Sequence, residues 1–236
     1  MNVIWHPSPN VDDRHEGQLI TSVVLHYTGM RTGEEALARL RSAAAKVSAH
    51  YLIDEDGKIY QLVRDEQRAW HAGTSFWRGE TSLNNSSIGI ELVNPGHEFG
   101  YRPFPSAQIA RLEQLLDHVW KQYHLKRDAL LAHSDIAPSR KQDPGELFPW
   151  HDFAQKGFGL WPKFVESAAA PDLYQATRML ADIGYDCGAE YDQRLRFALL
   201  AFQRRYQPRS ISGNPEPTTL ALVKGLWLAW QEYHRA

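Results

Sequence analysis

The residues best suited to chemistry in this chain lie close together in one stretch. Residues 132–150 (AHSDIAPSRKQDPGELFPW) hold His133, Lys141 and Asp143 among three prolines. Each proline lacks a backbone N–H donor and interrupts a helix, so the pattern predicts a rigid loop. Loops that are held by a rigid scaffold often carry catalytic residues. The stretch is therefore the first candidate for a functional site.

A histidine and an aspartate in one loop could be two ligands of a metal ion. His26, at the end of the apolar run VVLHYTG, is the candidate for a third ligand. Catalytic zinc takes three protein ligands and keeps a further position for water, whose pKa it brings to about 7. A turn back at Pro138 would let His133 and Asp143 reach the same ion.

Hydrolysis of an amide also needs a group that moves a proton and a positive group near the developing oxyanion. Glu91 lies in the otherwise apolar run IGIELV, where a carboxylate is costly unless it has a partner or a task. Lys141 could supply the positive charge. Ordinary explanations exist too: His26 could be an interior histidine, Glu91 could pair with an arginine, and Lys141 could be a solvated loop charge. On the residues alone, a metal hydrolase and a metal-free structural protein both remain open.

The elements that would position these residues follow from the apolar pattern. Apolar and β-branched runs predict strands at 19–27, 50–53, 58–63, 88–93 and 129–133. Helices are predicted at 33–45 and at 106–123, with Ser106 as the N-cap of the second. Residues 1–18 are expected to form an irregular arm. Strands that alternate with helices indicate an α/β fold, with a mixed central β-sheet flanked by helices.

The pattern changes after residue 161. Residues 162–171 predict a linker, and helices without strands are predicted at 172–183, 191–206 and 217–233. We therefore expect two domains, a catalytic domain at 1–165 and a small three-helix domain at 171–236.

Composition narrows the function classes. The net charge is −2 and the isoelectric point about 6.6, which gives no electrostatic reason to expect a nucleic-acid partner. Cys187 is the single cysteine, so an internal disulfide and a cysteine-based zinc site are excluded. No apolar stretch approaches the roughly 18 residues of a membrane span, and no secretion signal is visible in the chain as written.

Other catalytic motifs are missing from the sequence. It contains neither a Gly-x-Ser-x-Gly elbow nor a phosphate-binding Gly-x-x-x-x-Gly-Lys-Ser/Thr loop. His97-Glu98 begins like a zinc-protease helix, but Tyr101 stands where the second histidine would be.

Five motifs in order resemble a known family. HYTG around His26, SAHYLI, AWHAG, SIGIELVN and the stretch 132–150 are similar to the zinc-dependent N-acetylmuramoyl-L-alanine amidases. That family shares its fold with the peptidoglycan recognition proteins. The resemblance covers residues 19–161 and implies hydrolysis of the amide between N-acetylmuramic acid and L-alanine of the stem peptide.

The resemblance also implies roles for single residues. By motif position, one Zn²⁺ per chain would be held by His26, His133 and Asp143. Glu91 would be the general base or proton shuttle, and Lys141 would stabilise the tetrahedral intermediate. Four further residues fall in motifs near the family's substrate groove and are the expected substrate-binding residues: His50, Trp70, His71 and Arg140.

The C-terminal helices have a weaker resemblance, to the three-helix peptidoglycan-binding domain. An amidase joined to such a domain resembles the lipoprotein amidases of the Gram-negative outer membrane. The implied location is the cell envelope, with anchoring through a leader that this chain does not show. The short hairpin DEDGKIYQLV is closer to the cytosolic recycling amidase, so a cytoplasmic location is the alternative.

The expected partners are peptidoglycan or muropeptide fragments, and a monomer is expected. Two other functions remain open at this point. One is a peptidoglycan recognition protein of the same fold that binds without cutting. The other is a metal endopeptidase that acts within the stem peptide.

Overall fold

A six-stranded mixed sheet forms the centre of the first part of the chain. The computed structural model describes residues 2–163, 170–188 and 192–235. The strands are β1 Val3–Trp5, β2 Val11–Asp13, β3 Ser22–Tyr27, β4 Tyr51–Ile53, β5 Ile59–Gln61, β6 Gln67–Ala69, β7 Ser87–Leu92 and β8 Leu130–Ala132. The sheet order is β1-β5-β4-β7-β3-β8, in which only the β4–β5 pair is antiparallel, and β2 and β6 form a separate two-stranded ribbon.

Helices pack against the sheet, and helices alone form the regular structure of the described C-terminal part. They are α1 Gly33–Leu40, α2 Gly96–Phe99, α3 Ser106–Tyr123, α4 His133–Ile136, α5 Trp150–Gln155, α6 Leu173–Ile183, α7 Gln193–Tyr206 and α8 Pro217–Arg235. The predicted α/β class with a mixed sheet flanked by helices is confirmed. No helix within the described ranges is long and apolar enough to cross a membrane.

The central strands are mostly apolar because both of their faces are covered. Val23 and Leu25 of β3 pack into the main core with α3, whereas Val24 packs into a second cluster on the opposite face. Side chains alternate between faces along a strand, so His26 lies on the same face as Val24. Glu91 of β7 is the register partner of His26 and lies on that face as well. The sheet thus places these two polar residues side by side.

Several local predictions were wrong. The arm at 1–18 is not irregular throughout, because it contributes β1 to the edge of the sheet and β2 to the ribbon. The N-cap of α3 is Pro105, not Ser106, and no side chain caps that helix end. Helix α1 ends at Leu40, with a separate 3₁₀ turn at Ala43–Ala45. The predicted loop 132–150 begins with the helical turn α4, because its first proline comes only after that turn is complete.

The C-terminal helices bury a hydrophobic core of their own. Its buried residues include Leu180, Leu199 and Phe202, and Trp161 packs against both this core and the main one. Helices were predicted in this part at three places, and α6, α7 and α8 lie there. The predicted linker falls largely on residues 164–169, which lie outside the described residues. Division of the chain into two domains remains a prediction.

Candidate active site

The candidate metal ligands come from three separate elements at one edge of the sheet. His26 lies near the end of β3, and His133 follows directly after β8, the parallel neighbour of β3. Parallel neighbours end at the same edge of a sheet, so the two histidines meet there. Asp143 is brought to them by the loop after α4, where its carbonyl accepts a hydrogen bond from the Ser134 N–H.

The three side chains form a compact buried cluster. The two histidine Nδ1 atoms are 2.8 Å apart, and Oδ2 of Asp143 lies 3.1 Å from Nδ1 of His26 and 2.8 Å from Nδ1 of His133. All three residues are buried, and their ligand atoms lie within 4.8 Å of one another. Two imidazole nitrogens and one carboxylate oxygen that point at one another match the donor set of a catalytic zinc site. The cluster can therefore hold a metal ion.

The charge states of the cluster suit metal binding. Burial, together with the neighbouring His133, lowers the pKa of His26 to about 4, so its ring keeps a free lone pair near neutral pH. Burial opposes ionisation of Asp143, but the two histidine rings outweigh it and hold the pKa of that carboxyl well below its usual range. A metal ion would meet a neutral imidazole and a carboxylate that need no deprotonation.

The segment AWHAG orients both histidines from behind. Nε2 of His26 lies 3.0 Å from Nδ1 of His71, and Nε2 of His133 lies 3.2 Å from the carbonyl oxygen of Ala72. When the Nδ1 atoms face a metal, the ring protons sit on Nε2, and each ring then donates to its AWHAG partner. His71 would then accept at Nδ1 and carry its own proton on Nε2, which lies 3.3 Å from the hydroxyl oxygen of Ser87. Two neighbouring residues thus fix the tautomers of both histidines.

The Glu91 side chain has a carboxylate oxygen that no other group pairs with among the described residues. Its Oε2 is buried and has no hydrogen-bond partner among the described residues. Burial raises the pKa of Glu91 to about 8, and the Asp143 charge adds to this rise while Lys141 opposes it. A carboxyl group whose pKa lies near neutrality is suited to accept and return a proton.

We predict that Glu91 destabilises the metal-free protein at high pH. Between the usual pKa of 4.5 and its folded value of about 8, the folded state binds more protons than the unfolded state, so the free energy of unfolding falls as pH rises. Glu91→Gln should remove this loss. Its gain over wild type should be absent below pH 4.5 and reach a few kcal/mol above pH 8, at about 1.4 kcal/mol per pKa unit. Urea unfolding of both metal-free proteins across this pH range measures the difference, and a gain independent of pH would contradict the prediction.

The cluster and Glu91 lie together in an open groove. The groove has a volume of about 670 Å³, and Lys141, Arg140 and Trp70 also line it. Residues of α1 and the segment Thr28–Arg31 line it as well, and they include the basic Arg31 and Arg39 and the acidic Glu35. A groove of this size can take an extended ligand, and its arginine and lysine side chains can bind carboxylates of that ligand.

Comparison with known proteins supplies the family. The model of the N-acetylmuramoyl-L-alanine amidase family matches residues 16–146. N-acetylmuramoyl-L-alanine amidase AmiD of Escherichia coli is 38% identical over 242 residues, covering 92% of this chain and 87% of its own. The chain belongs to the N-acetylmuramoyl-L-alanine amidase family. It is a hydrolase of the amide bond between N-acetylmuramic acid and L-alanine, so the predicted family and activity are confirmed.

Solved structures extend the likeness over both parts of this amidase. The complex of AmiD from Escherichia coli with anhydro-N-acetylmuramic acid-L-Ala-D-γ-Glu-L-Lys has a TM-score of 0.80 at 35% identity, covering 95% of this chain and 94% of the other. AmpDh3 from Pseudomonas aeruginosa, in complex with an anhydromuramic pentapeptide, has a TM-score of 0.79 at 29% identity, with 93% and 96% covered. The C-terminal helices are therefore part of the shared architecture.

The expected substrate-binding residues lie at different depths in the amidase. Trp70 and Arg140 lie at the groove surface, where Nε1 of Trp70 donates to Asp12 and Arg140 donates to the carbonyl of Thr74. His71 is 9% exposed and directed at His26. His50 is fully buried, and its Nδ1 accepts the N–H of Gly89. Substrate contact by all four stays a prediction.

Sequence reasoning missed Arg14, which lies in the N-terminal arm. Its guanidinium donates to the carbonyls of Asp65, Asn85 and Ser87, and lies 3.0 Å from Nε2 of His50. It thereby ties the arm to the loops that hold Asp65 and Asn85 and to β7, the strand that carries Glu91. Its partners are mostly backbone carbonyls, which no residue type specifies, so the sequence offered no signal for this role.

Proposed function

We propose that this amidase cuts muropeptides with one zinc ion held by His26, His133 and Asp143, and with Glu91 as the proton shuttle. The observation that carries the proposal is a buried cluster of three converging ligand atoms beside the half-buried Glu91, whose Oε2 is buried and has no hydrogen-bond partner among the described residues. A carboxylate without a partner is costly in a protein interior, which favours a functional reason for its presence.

The proposed reaction is a hydrolysis in which one proton is moved twice. A zinc ion would act as a Lewis acid that activates water and polarises the scissile carbonyl. Glu91 accepts a proton from the attacking water as the oxygen bonds to the carbonyl carbon of the lactyl group. The bond from that carbon to the L-alanine nitrogen then breaks, and Glu91 returns the proton to the leaving amine. The products are a muramyl carboxylate and a peptide with a free amino group.

Lys141 supports the developing negative charge in this proposal. It lines the groove together with Glu91 and Asp143, and its positive charge acts on both Glu91 and His26. A cation placed near the carbonyl oxygen binds the tetrahedral oxyanion more strongly than the neutral substrate, which lowers the barrier.

The proposed substrates are peptidoglycan fragments, including those that end in the 1,6-anhydro sugar. Both solved relatives described above contain an anhydromuramic peptide. We also propose that the amidase acts in the cell envelope as a monomer, with Trp70 and Arg140 contacting the substrate at the groove surface. Cell fractionation with an antibody tests the location, and light scattering of the purified protein tests the monomer.

Mass spectrometry of muropeptides incubated with the purified protein tests the reaction. We expect release of an intact stem peptide with a free L-alanine amine, loss of that release with a chelator, and its return with zinc. Cleavage within the stem peptide would instead indicate an endopeptidase. Binding without release would indicate a recognition protein, and a reaction that resists every chelator would contradict the metal.

We predict that His71→Ala weakens zinc binding by about 10- to 100-fold, the usual cost of losing a group that orients a metal ligand. The reason is that Nε2 of His26 loses its 3.0 Å partner and the ring is free to turn. Competition with a chromogenic chelator measures the affinity. His151→Ala, on the exposed surface of α5, is the control. Wild-type zinc affinity with a raised KM would instead favour the substrate-binding role expected for His71.

A further inference from the structure

A buried ion pair joins the C-terminal helices to the turn that carries a metal ligand. Asp135, in α4, is fully buried, and Nη1 of Arg205 in α7 lies 2.7 Å from its Oδ2. The two residues are 70 positions apart in the chain. Asp135 stands two residues after His133, so whatever fixes Asp135 also fixes the start of α4.

The same carboxylate holds the turn from two further directions. Its Oδ2 accepts the N–H of Ala132 at 2.9 Å, and this contact closes the N-terminal end of α4 directly before His133. Its Oδ1 accepts a hydrogen bond of 2.9 Å from the hydroxyl of Tyr185, a residue that lies shortly after α6. Two residues of the C-terminal part therefore donate to one carboxylate beside the metal cluster.

Arg205 contacts the strand as well as the turn. Its Nη2 donates to the carbonyl of Leu130 in β8 at 3.0 Å, and its guanidinium lies 4.2 Å from the ring centroid of Trp150. Arg205 thus spans the last strand of the sheet and the turn that follows it. Its fork-shaped group can make both contacts at once, which a lysine ammonium cannot do with the same geometry.

This ion pair lies in the interior of the protein and not on its surface. Arg205 is 7% exposed and Asp135 is 0% exposed. Removal of one partner from such a pair leaves an uncompensated charge in the interior, and the structure around it must shift to admit water. The nearest part able to shift is α4, because it is one turn long and follows directly from a three-residue strand.

We propose that Arg205 is a positioning residue of the hydrolytic centre: by holding Asp135 and Leu130 it fixes His133, so that the C-terminal helices form part of the metal site. This inference rests on the proposed function, in which His133 is a zinc ligand. The resemblance described above implies a binding role for the C-terminal helices. The ion pair gives them a second role, in the construction of the active site itself.

The test compares full-length variants of two arginines on the same helix. Arg205→Met removes the buried charge and keeps most of the side-chain length. Arg194→Met is the matched control, because Arg194 is 61% exposed and its ion pairs among the described residues are with Asp186 and Asp192 of its own part of the chain. Arg205→Lys is the conservative variant. Zinc affinity by chelator competition and the absorption spectrum of the cobalt-loaded protein are measured beside kcat and KM on a soluble muropeptide.

We expect Arg205→Met to bind zinc about 10- to 100-fold more weakly, with an altered cobalt spectrum and a lower kcat at nearly unchanged KM. Arg205→Lys should recover part of the affinity, and Arg194→Met should match wild type. A folded Arg205→Met protein with wild-type zinc affinity and cobalt spectrum would overturn the proposal. Equal weakening by Arg205→Met and Arg194→Met would also overturn it.

A second variant keeps the test decisive if Arg205→Met does not fold. In the double variant Asp135→Asn with Arg205→Met, neither charge is left buried and alone. Its zinc affinity should still be reduced, since the fork that held α4 is gone, and unchanged affinity would overturn the proposal. Failure of the proposed function would be visible separately, because wild type itself would then bind no zinc, and both conclusions would fall.

Discussion

Replacement of Glu91 by glutamine is expected to lower kcat by about 10²- to 10⁴-fold while zinc stays bound. Glutamine keeps the size of the side chain but cannot accept a proton from water and return it to the leaving amine. The measurement is the rate of stem-peptide release from a soluble muropeptide at saturating substrate, together with the zinc content of the same sample. The pKa of about 8 in the metal-free protein means that Glu91 is close to its titration midpoint near neutrality, where a shuttle works best.

Glu98→Gln is the control for this prediction. Glu98 also lines the groove, but it is exposed, and it lies outside the sheet row that holds Glu91 and His26. It should retain wild-type activity. Full activity of Glu91→Gln, with zinc present, would remove Glu91 from the mechanism and leave its unpartnered oxygen without an explanation.

Replacement of Asp143 by alanine is expected to remove the metal and, with it, all measurable hydrolysis. Asp143 is the one carboxylate in the cluster, and its Oδ2 lies within about 3 Å of both histidine nitrogens. Loss of a group that only orients a ligand already costs about 10- to 100-fold in affinity, so loss of the ligand itself should cost more than about 100-fold. Zinc analysis after dialysis measures the effect.

Asp152→Ala is the control for the metal. Asp152 lies in α5, has a side chain that is 68% exposed, and should leave zinc content and activity unchanged. If Asp143→Ala kept one zinc per chain after dialysis, the metal would be held elsewhere. The histidine pair would then need a different explanation for its 2.8 Å approach.

The two effects differ because the two carboxylates are placed differently. Oδ2 of Asp143 lies among the converging ligand atoms, whereas Glu91 stands beside them on the neighbouring strand, in register with His26. The first substitution should therefore remove the metal, and the second only the proton transfer. Measurement of zinc content and turnover on the same samples separates these roles.

The sequence by itself predicted the central strands, the candidate ligand residues and the family. The buried central strands read as continuous apolar runs because both faces of the sheet are covered, and His26 and Glu91 stood out as polar residues in such runs. The composition of the stretch 132–150 alone identified His133 and Asp143 as candidate metal ligands. Five ordered motifs then predicted the amidase family, which the comparisons confirmed.

Only the tertiary structure decided how these residues are held. His71 and the carbonyl of Ala72 contact the Nε2 atoms of the two histidines. Arg14 donates to the carbonyl of Ser87 from an arm that was predicted to be irregular. Arg205 pairs with Asp135, 70 residues away in the chain. The physical reason is that such contacts use backbone carbonyls, which every residue carries, or join charges far apart in the chain. Sequence patterns report local periodicity and residue type, whereas a pairing across many residues is fixed only when the chain folds and brings its partners together.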